Sequence, residues 1–217
     1  TNDSSIAAAL AAPDTVFLLD GVRPDILMLR VTCRSLILWD AVEATQEWLE
    51  SQLPSVIFQH IADPLSDRFT SLERETLEHA RLHIIAGAAL ALGIRFAGTH
   101  SQAASGLVLE QVAVLLAAAD SKPVPGQREL NPHLIERCLL TAALASSLIM
   151  SGSGDERCHA LYSRLYARPE APHITYGSHM AVAMCNGMLC LGGGKLTLKR
   201  TPEAVAYLLC AVFPFFP

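Results

Sequence analysis

Charge is scarce in this sequence. Of its 217 residues only 17% are Asp, Glu, Lys or Arg, and the balance is net negative at −5. So weak and acidic a charge set makes no basic field of the kind that holds nucleic acid or an anionic membrane surface, and neither partner is expected. Long uninterrupted hydrophobic runs are lacking too. The best candidate for a membrane span, residues 77–99, is broken by Glu78, His79, Arg81, His83 and Arg95, whereas a spanning helix needs roughly 20 apolar residues. Buried helices are expected instead. The six cysteines (Cys33, Cys138, Cys158, Cys185, Cys190 and Cys210) include no CxxC and no paired spacing. That removes the signature of a disulfide framework and fits free thiols in a reducing, intracellular setting. All but Cys158 fall in apolar or amphipathic stretches, where cysteine behaves as a small hydrophobe.

Apolar residues fill the space left by charge. They make up 51% of the chain, and mean hydropathy is +0.33, which excludes a disordered polypeptide. Ala and Leu occupy 31 and 33 positions, punctuated by 13 Gly and 12 Pro. Strong helix formers alternating with breakers predict an all-α fold without a sheet. Helices are expected over 4–12, 24–40, 43–53, 72–97, 103–119, 132–150, 155–166, 178–191 and 202–212, with loops near 54–71 and 120–132. From Ile84 onward the longest helix is apolar on every side, the pattern of a helix sandwiched between others.

The most informative feature is internal similarity. Ala88-Ala-Leu-Ala-Leu-Gly-Ile-Arg-Phe-Ala-Gly98 aligns with Ala142-Ala-Leu-Ala-Ser-Ser-Leu-Ile-Met-Ser-Gly152 and with Val182-Ala-Met-Cys-Asn-Gly-Met-Leu-Cys-Leu-Gly192. The second position is always Ala (Ala89, Ala143, Ala183), the fourth is Ala91, Ala145 or Cys185, and the sixth is Gly93, Ser147 or Gly187. Small residues let a neighbouring backbone approach, and a terminal glycine caps the helix. Helix pairs of this kind share a continuous core only when stacked, so the chain is predicted to be an α-solenoid. Ala91 should then sit at a tight contact, and Ala104, in the less regular stretch after Gly98, is expected to be exposed.

The Gly87-Ala-Ala-Leu-Ala-Leu-Gly93…Gly98 pattern resembles the proteasome/cyclosome (PC) repeat. That repeat occurs in two large scaffolds of the proteasome regulatory particle and in the largest subunit of the anaphase-promoting complex. Longer stretches resemble the cyclosome family: residues 12–20, Arg23-Pro-Asp-Ile-Leu-Met-Leu-Arg30, Leu36-Ile-Leu-Trp-Asp40, Ile85-Ala-Gly-Ala88, Met150-Ser-Gly-Ser-Gly154, Tyr176-Gly177, Leu191-Gly-Gly-Gly194, and Leu208-Leu-Cys-Ala211 running into Phe213-Pro214. The resemblance implies that residues 1–217 are one PC-repeat segment of about four or five repeats. It also implies a curved or closed ring of helix pairs, part of a longer array with apolar edges. The repeat-forming residues would be Gly87, Ala91, Gly93, Gly98, Ala145, Gly152, Gly187 and Gly192. The implied role is non-catalytic scaffolding, without cofactor, of a cullin-RING type ubiquitin ligase in nucleus and cytoplasm. Its partners would be the cullin-like/RING catalytic module, a substrate co-receptor, neighbouring scaffold subunits and flanking repeats of its own chain. The proteasomal scaffold is the alternative, and an α/α-barrel enzyme a weaker one.

Rival chemistries fare poorly. His79 and His83 are four apart on one helix face, but no Glu follows the first His, so the zinc-protease pattern is absent. Both are read as surface or loop-packing histidines, and no metal is expected. Gly192-Gly-Gly-Lys195 follows a helix and precedes Leu196, which fits a helix stop and not a phosphate loop. Arg95 stands apart as a charge among apolar neighbours. It must find a partner or reach the solenoid edge, and it is the one residue with an expected interaction role.

Overall fold

The protein is described by a computed structural model covering residues 2–63, 68–120 and 130–212. Among these residues the regular structure is entirely helical: α1 (Ser4–Ala9), α2 (Val16–Asp20), α3 (Pro24–Ile37), α4 (Gln46–Glu50), α5 (Ser55–Ala62), α6 (Ser71–Arg95), α7 (Gln102–Asp120), α8 (Pro132–Ile149), α9 (Glu156–Tyr166), α10 (Tyr176–Leu189) and α11 (Pro202–Val212), with short 3-10 turns at Trp39–Ala41 and Leu191–Gly194. The expected loop near 120–132 falls largely outside the described residues, as does the aromatic end at 213–217.

Helix starts are written locally. Thr70 and Glu73 form a reciprocal capping box at α6, as Thr175 and Ser178 do at α10. Asp155 and Asn131 cap α9 and α8 with single side-chain bonds. These oxygens satisfy N–H groups that a helix start leaves unpaired.

Two helices escape the sequence reading. The expected loop over 54–71 instead opens with α5, which has no capping side chain of its own. Its cap comes from 41 residues upstream: the Ser55 hydroxyl donates to the Asp14 carboxylate at 2.9 Å, and Val56 N–H reaches the same group at 3.3 Å. The five-residue α2 is too short to show a helical period, although Thr15 caps it.

The helices form a row in which α6 packs on α3 and on α8, and α8 in turn on α10. From Leu82 to Ile94 every residue of α6 is buried, as the all-round apolar pattern requires. Alongside α6, helix α7 is long and apolar enough to cross a membrane by length and composition, a segment the sequence reading passed over. In α6, 83% of the most apolar window lies inside the protein, the place of a central core helix. On the neighbouring side, α7 and α9 close the main core with Leu115, Val112, Cys158 and Tyr162. Leu198 ahead of α11, and Val205, Leu208, Leu209 and Val212 along it, pack in one cluster with Leu36, Trp39, Leu90, Ile94 and Leu148.

Three local expectations are corrected. Ala104 is fully buried, because α7 turns this side toward the core beside α8. Cys158 is also fully buried, whereas Cys190 and Cys210 are exposed; the polar neighbours of Cys158 lie on the opposite face of an amphipathic helix. His83 is no surface residue: it has no exposed area, and its Nδ1 lies 2.8 Å from the His79 carbonyl while Nε2 has no hydrogen-bond partner among the described residues.

Burial disfavours the charged form of His83 and lowers its pKa to about 4. An unfolded chain takes up that proton near the ordinary histidine value of 6.5, so the folded state loses stability as pH falls from 6.5 to about 4. The loss at the lower end is up to about 3 kcal/mol. Burial shifts His79 and His60 in the same direction, so the signs agree. Urea midpoints measured at pH 7.5, 6 and 5 should fall steadily, and His83→Met should flatten the fall.

Candidate functional site

Successive helices of the row meet through their smallest side chains. Gly93 of α6 lies so close to α8 that an added Cβ would stand 2.7 Å from Ala145 Cα. One step on, Ser147 of α8 and Cys185 of α10 are both fully buried and lie close enough for the Ser147 hydroxyl to counter part of the upward shift that burial gives the Cys185 thiol. In both cases the sixth position of one block meets the fourth of the next. Gly87 faces the other way: a Cβ there would lie 2.5 Å from the Met28 carbonyl oxygen of α3, and Thr32 Oγ1 donates across that contact to Gly87 O at 3.1 Å. Ala91, between these contacts, is 1% exposed.

The turns after the helices repeat a second contact. Gly98 N–H donates to Leu148 O at 2.9 Å and His100 N–H to Ile149 O at 3.1 Å. At the next step Gly152 N–H donates to Met188 O at 2.9 Å and Gly154 N–H to Leu189 O at 3.1 Å. Each acceptor is a carbonyl in the last turn of the following helix, a group that no intrahelical N–H satisfies. Gly98 and Gly152 have φ of +65° and +75°, a region costly for residues carrying Cβ. The sequence identified these glycines as helix stops; their role as donors to the next helix depends on contacts 50 residues away for Gly98 and 36 for Gly152.

Gly187 and Gly192 differ from their counterparts. Gly187 is exposed, and a Cβ built on it meets nothing within 4 Å. Ala183, one turn earlier, is exposed as well. The nearest atoms to a Cβ built on Gly192 belong to the Leu196 side chain of its own loop. The third block therefore uses Cys185 against α8 but seats no described helix on Ala183 or Gly187.

Residues 195–200 run as a strap across the turns. The Thr197 hydroxyl lies 3.0 Å from Ser151 O and 3.2 Å from Gly98 O, and Gly152 passes beneath Leu196 O so closely that a Cβ would sit 1.9 Å from it. Near the end of this strap stands Arg95. Its Nε donates to Trp39 O at 3.1 Å, and its guanidinium lies over the Trp39 ring at 5.0 Å and the Phe96 ring at 5.5 Å. The half-buried side chain thus finds a carbonyl and two aromatic faces in place of a carboxylate. Among the described residues no three His, Cys, Asp or Glu side chains are grouped as metal ligands.

One buried ion pair was not apparent in the sequence. Arg168 Nη1 and Nη2 donate to Glu136 Oε2 and Oε1 at 2.6 and 2.7 Å, with side chains only 14% and 5% exposed. The partners are 32 residues apart and flank the core-facing side of α8.

A row of helices whose α6–α8 and α8–α10 steps repeat the same side-chain contact and the same turn contact defines an all-α helical-repeat protein. The family model described as "APC1 fifth domain" matches residues 1–217, and the chain belongs to that family. It is 37% identical over 223 residues to "Anaphase-promoting complex subunit 1" of Homo sapiens, covering 100% of this chain and 11% of that protein. It is 35% identical over 219 residues to "Negative regulator of mitosis" of Emericella nidulans, covering 100% and 10%. With the Arabidopsis thaliana "Anaphase-promoting complex subunit 1" the identity is 34% over 230 residues, covering 100% and 14%. The chain thus spans roughly a tenth of the length of these relatives.

Proposed function

We propose that this chain is a non-catalytic scaffold segment of an anaphase-promoting-complex subunit, a stretch of a longer PC-repeat array in a cullin-RING type ubiquitin ligase. The observation that carries the array reading is the third block. The α6–α8 and α8–α10 steps use the same two contacts, and α10 presents Ala183 and Gly187 with no described helix seated on them. A further repeat packed on α10 would complete the pattern, so flanking repeats of the same polypeptide are the first partners. The glycines and alanines of the repeat motif carry no nucleophile or proton carrier, and burial keeps the Cys185 thiol in its protonated form. In this role the segment holds the cullin-like/RING module, a substrate co-receptor and neighbouring scaffold subunits in fixed relation, within nucleus and cytoplasm.

A pull-down from cell extract tests the proposal. Cullin-like and RING ligase subunits are the expected company of the chain. Recovery of proteasomal ATPases in their place would overturn the assignment in favour of the related proteasomal scaffold.

A further inference from the structure

The geometry points to an anion-binding cleft at Arg95 that takes an acidic or phosphorylated side chain of a partner peptide. The cleft is open, about 460 Å³ in volume, and lined by Trp39, Arg95, Leu198, Lys199, Arg200 and Thr201. Three of its six lining residues are cations, in a chain whose net charge is −5. The sequence contains only three lysines, and two of them fall in Lys195-Leu-Thr-Leu-Lys-Arg200, which holds no acidic residue.

The cations are both held and unspent. Arg95 is fixed by Trp39 O through Nε and by two ring faces, which leaves its Nη groups without a hydrogen-bond partner among the described residues. Lys199 and Arg200 are exposed and form no ion pair among those residues. Their backbone is anchored two residues upstream, where the Thr197 hydroxyl engages Gly98 O and Ser151 O. The start of α11 adds to the field: Thr201 Oγ1 accepts the Ala204 N–H, and the free first-turn amide belongs to the positive end of an 11-residue helix. A planar guanidinium stacked on an aromatic ring, with its outer nitrogens open, suits bidentate capture of a carboxylate or phosphate.

Size and surroundings choose the class of ligand. Asp40 follows Trp39, and Glu203 lies in the first turn of α11. These flanking acids disfavour a continuous polyanion such as nucleic acid and leave room for one or two anionic groups on an otherwise neutral peptide. The apolar walls, Trp39 and Leu198, would cover the peptide's neighbouring side chains. This goes beyond the scaffold proposal and stands on separate residues.

The test uses the full chain and three fluorescein-labelled 12-residue Gly/Ser peptides, carrying at the centre phosphoserine, Glu-Glu or Ala-Ala. The phosphoserine peptide, the Glu-Glu peptide or both should bind and shift the Trp39 indole and Arg95 Nε–H resonances, with affinity falling as salt rises. Which of the two binds more tightly tells phosphate from carboxylate. The double variant Lys199→Gln/Arg200→Gln, at exposed positions outside the core, should weaken binding about tenfold, and Arg95→Gln at least as much. Lys195→Gln, off the cleft, should change nothing. Equal binding of the Ala-Ala peptide, undiminished binding by the double variant, or tighter binding of a single-stranded oligonucleotide than of either anionic peptide would overturn the inference.

Discussion

Gly152→Ala should be among the most damaging single-methyl changes in this chain. The glycine has φ of +75°, and its missing Cβ would stand 1.9 Å from Leu196 O. The backbone conformation alone costs a residue with Cβ about 1–2 kcal/mol. The clash is with backbone, not with a flexible side-chain end, so strap and turn must part, adding about 1–3 kcal/mol. Separation would also weaken the Gly152 N–H bond to Met188 O and the Thr197 contact with Ser151 O. A total loss on the order of 3–5 kcal/mol is a large share of an ordinary domain's stability. In urea melts the midpoint should drop sharply. Gly154→Ala has a similar φ of +64° with open space around it, so it should show the conformational cost alone.

Arg168→Ala should have an effect of similar size through electrostatics. Glu136 is 4% exposed, and the guanidinium fork holds both of its carboxylate oxygens. Removing the cation strands a charge beside the core, which typically costs about 3–5 kcal/mol. The variant Glu136→Gln alone should be milder, since the Arg168 cation it leaves is the more exposed partner and keeps an amide oxygen as acceptor. In the double variant, Arg168→Ala should then cost much less than it does alone. Thermal unfolding of the four chains gives the coupling directly; additive effects would mean that the pair contributes little.

The long helices were legible because a single helix carries its own signal. Residues 71–95 show a capping box at one end and all-round apolarity at the other, and both features act within a few turns. The same holds for α8 and α10. What stayed hidden depends on contacts between distant segments. Asp14 caps α5 from 41 residues away, and Arg168 meets Glu136 across 32, so no local pattern announces either. Ala104 shows the limit of composition: a small residue in an irregular stretch reads as exposed, yet α7 turns it into the core. Cys158 lies among Glu156, Arg157 and His159, and helical geometry alone points it inward. Arg95 was legible as an anomaly, because a charge in an apolar run demands an explanation. Its partners, a carbonyl and two rings, could not be read from the sequence.

The third block separates pattern from use. Gly93 and Gly187 occupy the same position of the alignment, but of the two Gly93 alone has a helix against it among the described residues. If small residues at this position exist to admit a neighbouring backbone, alanine must act oppositely at the two sites. At Gly93 the new Cβ would stand 2.7 Å from Ala145 Cα and should destabilise by about 1–3 kcal/mol. At Gly187 the space is open, so replacing a helix-interior glycine should stabilise by roughly 0.5–1 kcal/mol. Urea denaturation of Gly93→Ala and Gly187→Ala, each against the unaltered chain, is the direct measurement. The repeat geometry gives a lowered midpoint for the first and a raised midpoint for the second; equal shifts of the same sign would contradict it.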